Sequence, residues 1–211
     1  MVMLDMDSTK NKGATFCGNP GICAKCANQG PTCCRCGTTE EELVAPLSGE
    51  EWQRMVRLVP WIENGRFVVR EHNSHNFIQG IQALFPGSEH EALSSFPLGG
   101  HHLRLAQNNL GQCSLLGPGG CLLPEKARPY FCLMYPFWFT GETLKVFGDP
   151  HCLAVRTLHT GDSLCAALGT HPEKLSRLYS RLCLAWGIPP PKRYPVTGDR
   201  SMDSSPCSLQ E

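Results

Sequence analysis

Thirteen cysteines in 211 residues constrain this chain more than any other feature. Ten of them fall into two groups: Cys17, Cys23, Cys26, Cys33, Cys34 and Cys36 near the start, and Cys113, Cys121, Cys132 and Cys152 further on. In a small secreted chain so many thiols would form a disulfide framework. Here the count is odd and the chain is long enough for a hydrophobic core. The first sixteen residues also lack the basic start and apolar run of an export signal. We therefore expect a reducing compartment, the cytoplasm, where clustered cysteines hold a metal ion or an iron–sulfur cluster.

The balance of 19 basic and 19 acidic residues argues against nucleic acid or a membrane surface as partner, since both favour a basic excess. No stretch reaches the about 18 consecutive apolar residues a membrane helix needs. Twenty-one glycines and 17 prolines, with few charges, suit a loop-rich domain better than a helical bundle. The expected architecture is α+β: a small, loop-rich single domain with short strands, a few helices and a cysteine-ligated metal centre. It spans residues 17–187, between disordered segments at 1–16 and 188–211.

Residues 17–37 carry six cysteines among Gly, Pro and Asn, too few apolar groups to fold by burial. They read as a loop that a metal orders. Ser48 and Glu51 form a capping box for a helix over 49–63, with Trp52, Met55, Val56, Val59 and Trp61 or Ile62 as its apolar stripe. Residues 66–71, 101–107 and 143–148 read as strands, 76–85 as a helix and 87–100 as a loop. The runs around Cys113 and Cys121, separated by Gly-Pro-Gly, read as a hairpin in which the two thiols could face one another. A short helix broken at Pro136 is expected over 130–139. A further helix spans 161–168, and Thr170 with Glu173 caps a last one running to about Trp186.

Cys23-x-x-Cys26 can aim both thiolates into one concavity, as many zinc and iron–sulfur sites begin. Cys33 and Cys34 are adjacent, so in extended backbone their side chains diverge; both serve one ion only if a turn intervenes. The downstream set is Cys113, Cys121, Cys132 and Cys152, with Cys17 and Cys36 as competing choices upstream. Four thiolates around a divalent ion leave a net charge near −2, which Arg35, Lys126, Arg128 or Arg156 could screen. His151 beside Cys152 is a candidate extra ligand; His72, His75, His101 and His102 complete the histidines of note. Cys165 and Cys183 lie on apolar helix faces and read as core. Neither a Ser-His-Asp set nor a Gly-rich phosphate loop is present.

These residues resemble the YkgJ-type cysteine-cluster proteins, described as zinc- or iron-chelating domains. The match is Cys23, Cys26, Cys33 and Cys34 at one end. Downstream it is Cys113, Gly120-Cys121, Arg128-Pro129, Cys132, Tyr135-Pro136-Phe137 and Cys152. The spacing from Cys26 to the Cys33-Cys34 pair is wider than the compact family pattern. The resemblance implies Zn2+ or an iron–sulfur cluster bound by Cys23, Cys26, Cys33, Cys34, Cys113, Cys121, Cys132 and Cys152. The related flagellin lysine N-methylases share similar motifs, so an iron–sulfur enzyme of methyl transfer or redox chemistry is the alternative. All-thiolate sites suit zinc and iron–sulfur alike, and no protein partner is indicated.

Overall fold

A computed structural model gives the fold over residues 3–5, 21–28, 34, 46–109, 111–149, 151–158 and 161–190. In chain order the elements begin with β1 (Met3–Asp5), α1 (Gly21–Asn28), β2 (Pro46–Leu47) and α2 (Gly49–Leu58). Then come β3 (Val68–His72), α3 (His75–Leu84), α4 (Glu89–Ser95) and β4 (His101–Leu105). A small hairpin, β5 (Leu116–Gly117) and β6 (Gly120–Cys121), precedes α5 (Tyr130–Met134), β7 (Phe137–Thr140) and β8 (Thr143–Phe147). Helices α6 (Leu153–Thr157), α7 (Gly161–Ala167) and α8 (Pro172–Ala185) end the described chain. The architecture is α+β, with small antiparallel sheets ordered β1-β8-β7, β2-β4-β3 and β5-β6.

Two apolar clusters organise these elements. The larger is aromatic, built on Phe77, Phe85, Phe131, Trp138, Phe147 and Tyr179, and gathers α3, α5, α8 and the β7–β8 hairpin. Trp138 is fully buried, and its indole N–H donates to the Leu84 carbonyl at 2.8 Å, which satisfies the one polar atom it takes inside. The smaller joins Leu47, Met55, Val59, Ile62, Leu115, Leu123 and Ala127. Cys113 and Cys121 pack against this second cluster, whereas Cys152 belongs to the first. Three of the downstream cysteines are thus divided between the two cores, which meet at a seam bridged by Glu51 of α2 and its partners Tyr130 and Trp186.

The capping box forms as expected: Glu51 N–H donates to Ser48 Oγ at 3.0 Å, and Ser48 N–H to Glu51 Oε2 at 2.9 Å. The helix nevertheless stops at Leu58, because Pro60 has no N–H to continue it. Pro60–Asn64 continues as a 3-10 turn that buries Ile62 and leaves Trp61 48% exposed, so Ile62 completes the stripe. Residues 87–100, expected as a loop, contain α4; packing of Ala92 against α3 overrides a Ser-rich local composition. Helix α8 is capped by His171, whose Nδ1 accepts from Lys174 N–H at 3.3 Å, and not by Thr170, which is itself buried. Order also extends beyond the expected limits. Met3–Asp5 pairs with β8, and Ile188 is buried, its N–H bonded to the Cys183 carbonyl at 2.8 Å. Residues 191–211 lie outside the described part.

Cys165 and Cys183 are core residues, as their helical positions implied. Burial pushes both thiols up to about 12 from an ordinary 9.0; Asp162 and Glu173 add to the rise at Cys165, while a hydrogen bond with Tyr179 moderates it at Cys183. Their contribution to stability is fully present below pH 9. Between pH 9 and 12 the unfolded chain has released protons that the fold retains, so stability falls by about 1.4 kcal/mol per pH unit for each thiol. Urea unfolding from pH 8 to 10.5 should show this slope, and the Cys165→Ala, Cys183→Ala double variant should lose that share of it. An equally steep slope in the variant would refute the assignment.

Candidate metal centre

The Cys23-x-x-Cys26 motif is helical. It occupies α1, within a segment expected to be a metal-ordered loop, and its two cysteines stand one turn apart on the same face. Ile22 supplies the missing apolar anchor by packing against the larger core, and α1 seats on β6 and α6. The approach to β6 is close. Gly120 has φ +100°, and a Cβ there would lie 3.8 Å from Ala24 N and 3.9 Å from Cys23 C. The positive φ is what calls for glycine here, since a Cβ would meet α1 only at ordinary van der Waals distance.

The hairpin forms around Pro118-Gly119, but its register pairs Cys121 with Leu116 and Gly117 with Gly120. Cys113 consequently does not face Cys121 across it. Cys113 instead bridges to Gln107, beyond the end of β4, and its N–H donates to the Cys34 carbonyl at 2.6 Å. That bond ties the N-terminal cysteine group to the downstream one. Cys132 arrives from the other core, on α5, whose Tyr130, Phe131 and Met134 are buried in the aromatic cluster. Cys132 is exposed to solvent, yet surrounding protein is the main influence on its thiol, which places it in a recess open to solvent. Cys23 shares that combination.

Four of these thiols, Cys23, Cys121, Cys132 and Cys152, resist ionisation. Burial is the largest influence on Cys132 and raises it well above the usual thiol range, with Cys34, Cys113, Cys121 and Glu51 adding repulsion. Burial likewise raises Cys23; Cys26, Cys34 and Cys121 push the same way and Arg128 opposes them. At Cys121, burial and Cys34 raise the thiol, against the Leu123 backbone N–H and a hydrogen bond from Arg128. Cys152 stands at the start of α6 and is raised by burial, less so because the Val155 and Ala154 N–H groups face it; Cys26 is among its neighbours. Cys26 Sγ also lies 4.0 Å from the His151 carbonyl.

Among the described residues, Arg128 is the cation that acts on Cys23 and Cys121. Its Nε donates to the Leu123 carbonyl at 3.0 Å, which aims the guanidinium at Cys121. Arg54 Nη2 in turn donates to the Arg128 carbonyl at 2.8 Å while its guanidinium lies 4.1 Å over the Tyr130 ring. Glu51 is almost fully buried; Oε1 accepts from Tyr130 N–H at 2.8 Å and Oε2 from Trp186 Nε1–H at 3.2 Å. Glu51 and Arg54 therefore hold the start of α5, two residues before Cys132. Neither was expected at the site, because the capping-box signal at Glu51 says nothing of its long-range bonds.

Of the other candidates, Lys126 and Arg156 are exposed, and His151 offers its backbone where a ring was expected. Cys17, Cys33, Arg35 and Cys36 lie outside the described residues. Among the described residues no three His, Cys, Asp or Glu side chains stand close enough to hold an ion as placed. A closed zinc–thiolate site needs sulfurs about 3.8 Å apart. No family model, curated protein or solved structure matches the chain. The YkgJ-type resemblance accordingly rests on the motif residues alone.

Proposed function

We propose that the protein binds Zn2+ or an iron–sulfur cluster through Cys23, Cys26, Cys34, Cys113, Cys121, Cys132 and Cys152. Cys33 joins them from the segment outside the described residues. The observation that supports this reading is that Cys23, Cys34, Cys113, Cys121 and Cys132, from well-separated parts of the chain, lie near enough to influence one another's ionisation, with Arg128 beside them and a backbone bond joining Cys113 to Cys34. Cysteines used only for packing sit singly in apolar surroundings, as Cys165 and Cys183 do. An all-thiol donor set suits a soft or borderline ion, and the same thiols that repel one another when ionised would each gain from a shared cation. Bound metal would fasten α1 and Cys34 onto the hairpin, which explains how a cysteine-rich segment with few apolar residues holds its place. A cytoplasmic setting keeps such thiols reduced. Among the described residues no helix is long and apolar enough to cross a membrane.

The test is metal and sulfide analysis with a visible spectrum on anaerobically purified protein. Stoichiometric zinc, or iron and sulfide with thiolate-to-iron charge-transfer absorption, is the expected result. A colourless protein that contains no metal, and takes up neither Zn2+ nor Co2+ when these are added under reducing conditions, would overturn the proposal.

A further inference from the structure

Histidines gather at one end of the β3–β4 ladder, away from the cysteine recess. His72 and His101 are its last cross-strand pair and lie directly opposite one another. Residues so opposed project from the same face of the sheet. Both are exposed, and their ring centroids are 5.5 Å apart at an interplanar angle of 87°. A zinc–nitrogen bond of about 2.0–2.1 Å puts each ligating ring's centroid roughly 3.2 Å from the ion. Two such rings at a tetrahedral angle have centroids about 5.2 Å apart. The centroid spacing of the pair is close to that of two imidazoles on one ion, and rotation of the exposed rings about their side-chain bonds suffices to turn a nitrogen of each toward it.

The neighbours leave this pair available. His102, buried on the opposite face, bonds Asn73 Oδ1 at 2.8 Å and stacks on Phe77. Glu71 is engaged by Arg104, with Nη2 to Oε1 at 2.9 Å. Arg70 lies two residues along the same face as His72 and opposite Leu103, so the local field does not draw cations; recognition has to come from the imidazole nitrogens. From these positions we infer that His72 and His101 form a second metal site, a two-imidazole chelate for a divalent transition ion of the Zn2+, Ni2+ and Cu2+ group. Among the described residues no third side chain completes it, so water fills the remaining positions and the ion stays exchangeable. About 13 Å of strand separates His101 from Leu105, and the Gln107 bridge to Cys113 lies beyond that end, so this ion is distinct from any in the recess. The inference does not depend on what the cysteines bind.

Imidazole-selective nitrogen–proton NMR on the full chain tests it, with Zn2+ added after the thiols have been saturated. The His72 and His101 ring resonances should shift together and reach their limit at one further equivalent. His72→Gln should weaken the response of His101 by more than the roughly 10–100-fold in affinity lost when only a supporting group of a metal ligand is removed. Ni2+ should broaden the same two residues. The inference fails if neither ring responds, if saturation needs a large excess of ion, or if His101 responds equally well in the His72→Gln protein.

Discussion

On the proposed metal-binding reading, replacing Cys121 and Cys132 together by serine should yield a folded protein that no longer retains metal through gel filtration in the presence of a weak chelator. The two residues come from different cores: Cys121 from the hairpin beside Arg128, Cys132 from the α5 turn held by Glu51. Serine nearly preserves shape but offers a hard, neutral hydroxyl where a soft ion wants thiolate. Removing a supporting group around a metal ligand already costs about 10–100-fold in affinity, so loss of two ligands costs more than the product of two such changes at its lower end. Thermal stability falls with it, because whatever binds only the folded chain stabilises it in proportion to its affinity and concentration. The matched control is Cys165→Ala with Cys183→Ala, which should leave metal content intact while altering the core. Unchanged metal content and melting temperature in the Cys121→Ser, Cys132→Ser protein would remove the metal reading altogether.

Sequence pattern reaches some parts of this molecule and stops short of others for identifiable reasons. Helix α8 was readable because Leu175, Leu178, Tyr179 and Leu182 recur at helical spacing, and all are buried. The hairpin was readable because Gly-Pro-Gly is strong turn chemistry. Its register was not, since turn chemistry alone does not decide between Leu116 and Cys113, three residues earlier, as the residue opposite Cys121. Helix α1 was hidden for a different reason. Residues 21–28 carry one large aliphatic side chain, Ile22, and what seats them is a long-range contact with Gly120 that no local pattern encodes. The grouping of cysteines pointed to the recess, while among the described candidates its cation could be narrowed to Arg128 only when Lys126 and Arg156 were seen to be exposed.

Glu51→Ala should be the most damaging single substitution at the seam between the two cores. The carboxylate accepts from Ser48 N–H, Tyr130 N–H and Trp186 Nε1–H, and so joins α2, the start of α5 and the end of α8. Alanine leaves two of those donors buried without an acceptor, at about 1–3 kcal/mol each, and removes half of the capping box as well. The sum, roughly 3–7 kcal/mol with about 1 for the cap, is a large part of the 5–15 kcal/mol that a domain usually has. At about 2–4 °C per kcal/mol for a chain of this size, the melting temperature should drop by on the order of 10 °C. Glu51→Gln should fall between the two proteins. One amide oxygen can serve either the Tyr130 donor or the Ser48 and Trp186 donors, and the amide nitrogen then meets the other side as donor against donor. Urea unfolding of the three proteins in the absence of metal measures the order. Repeating it with metal bound separates packing from coordination. Because Tyr130 lies two residues before Cys132, a loosened α5 should also release metal faster, and excess metal should restore part of the lost stability. A Glu51→Ala protein within about 1 kcal/mol of the parent would mean that water replaces the carboxylate at little cost and that the seam is held by apolar contact alone.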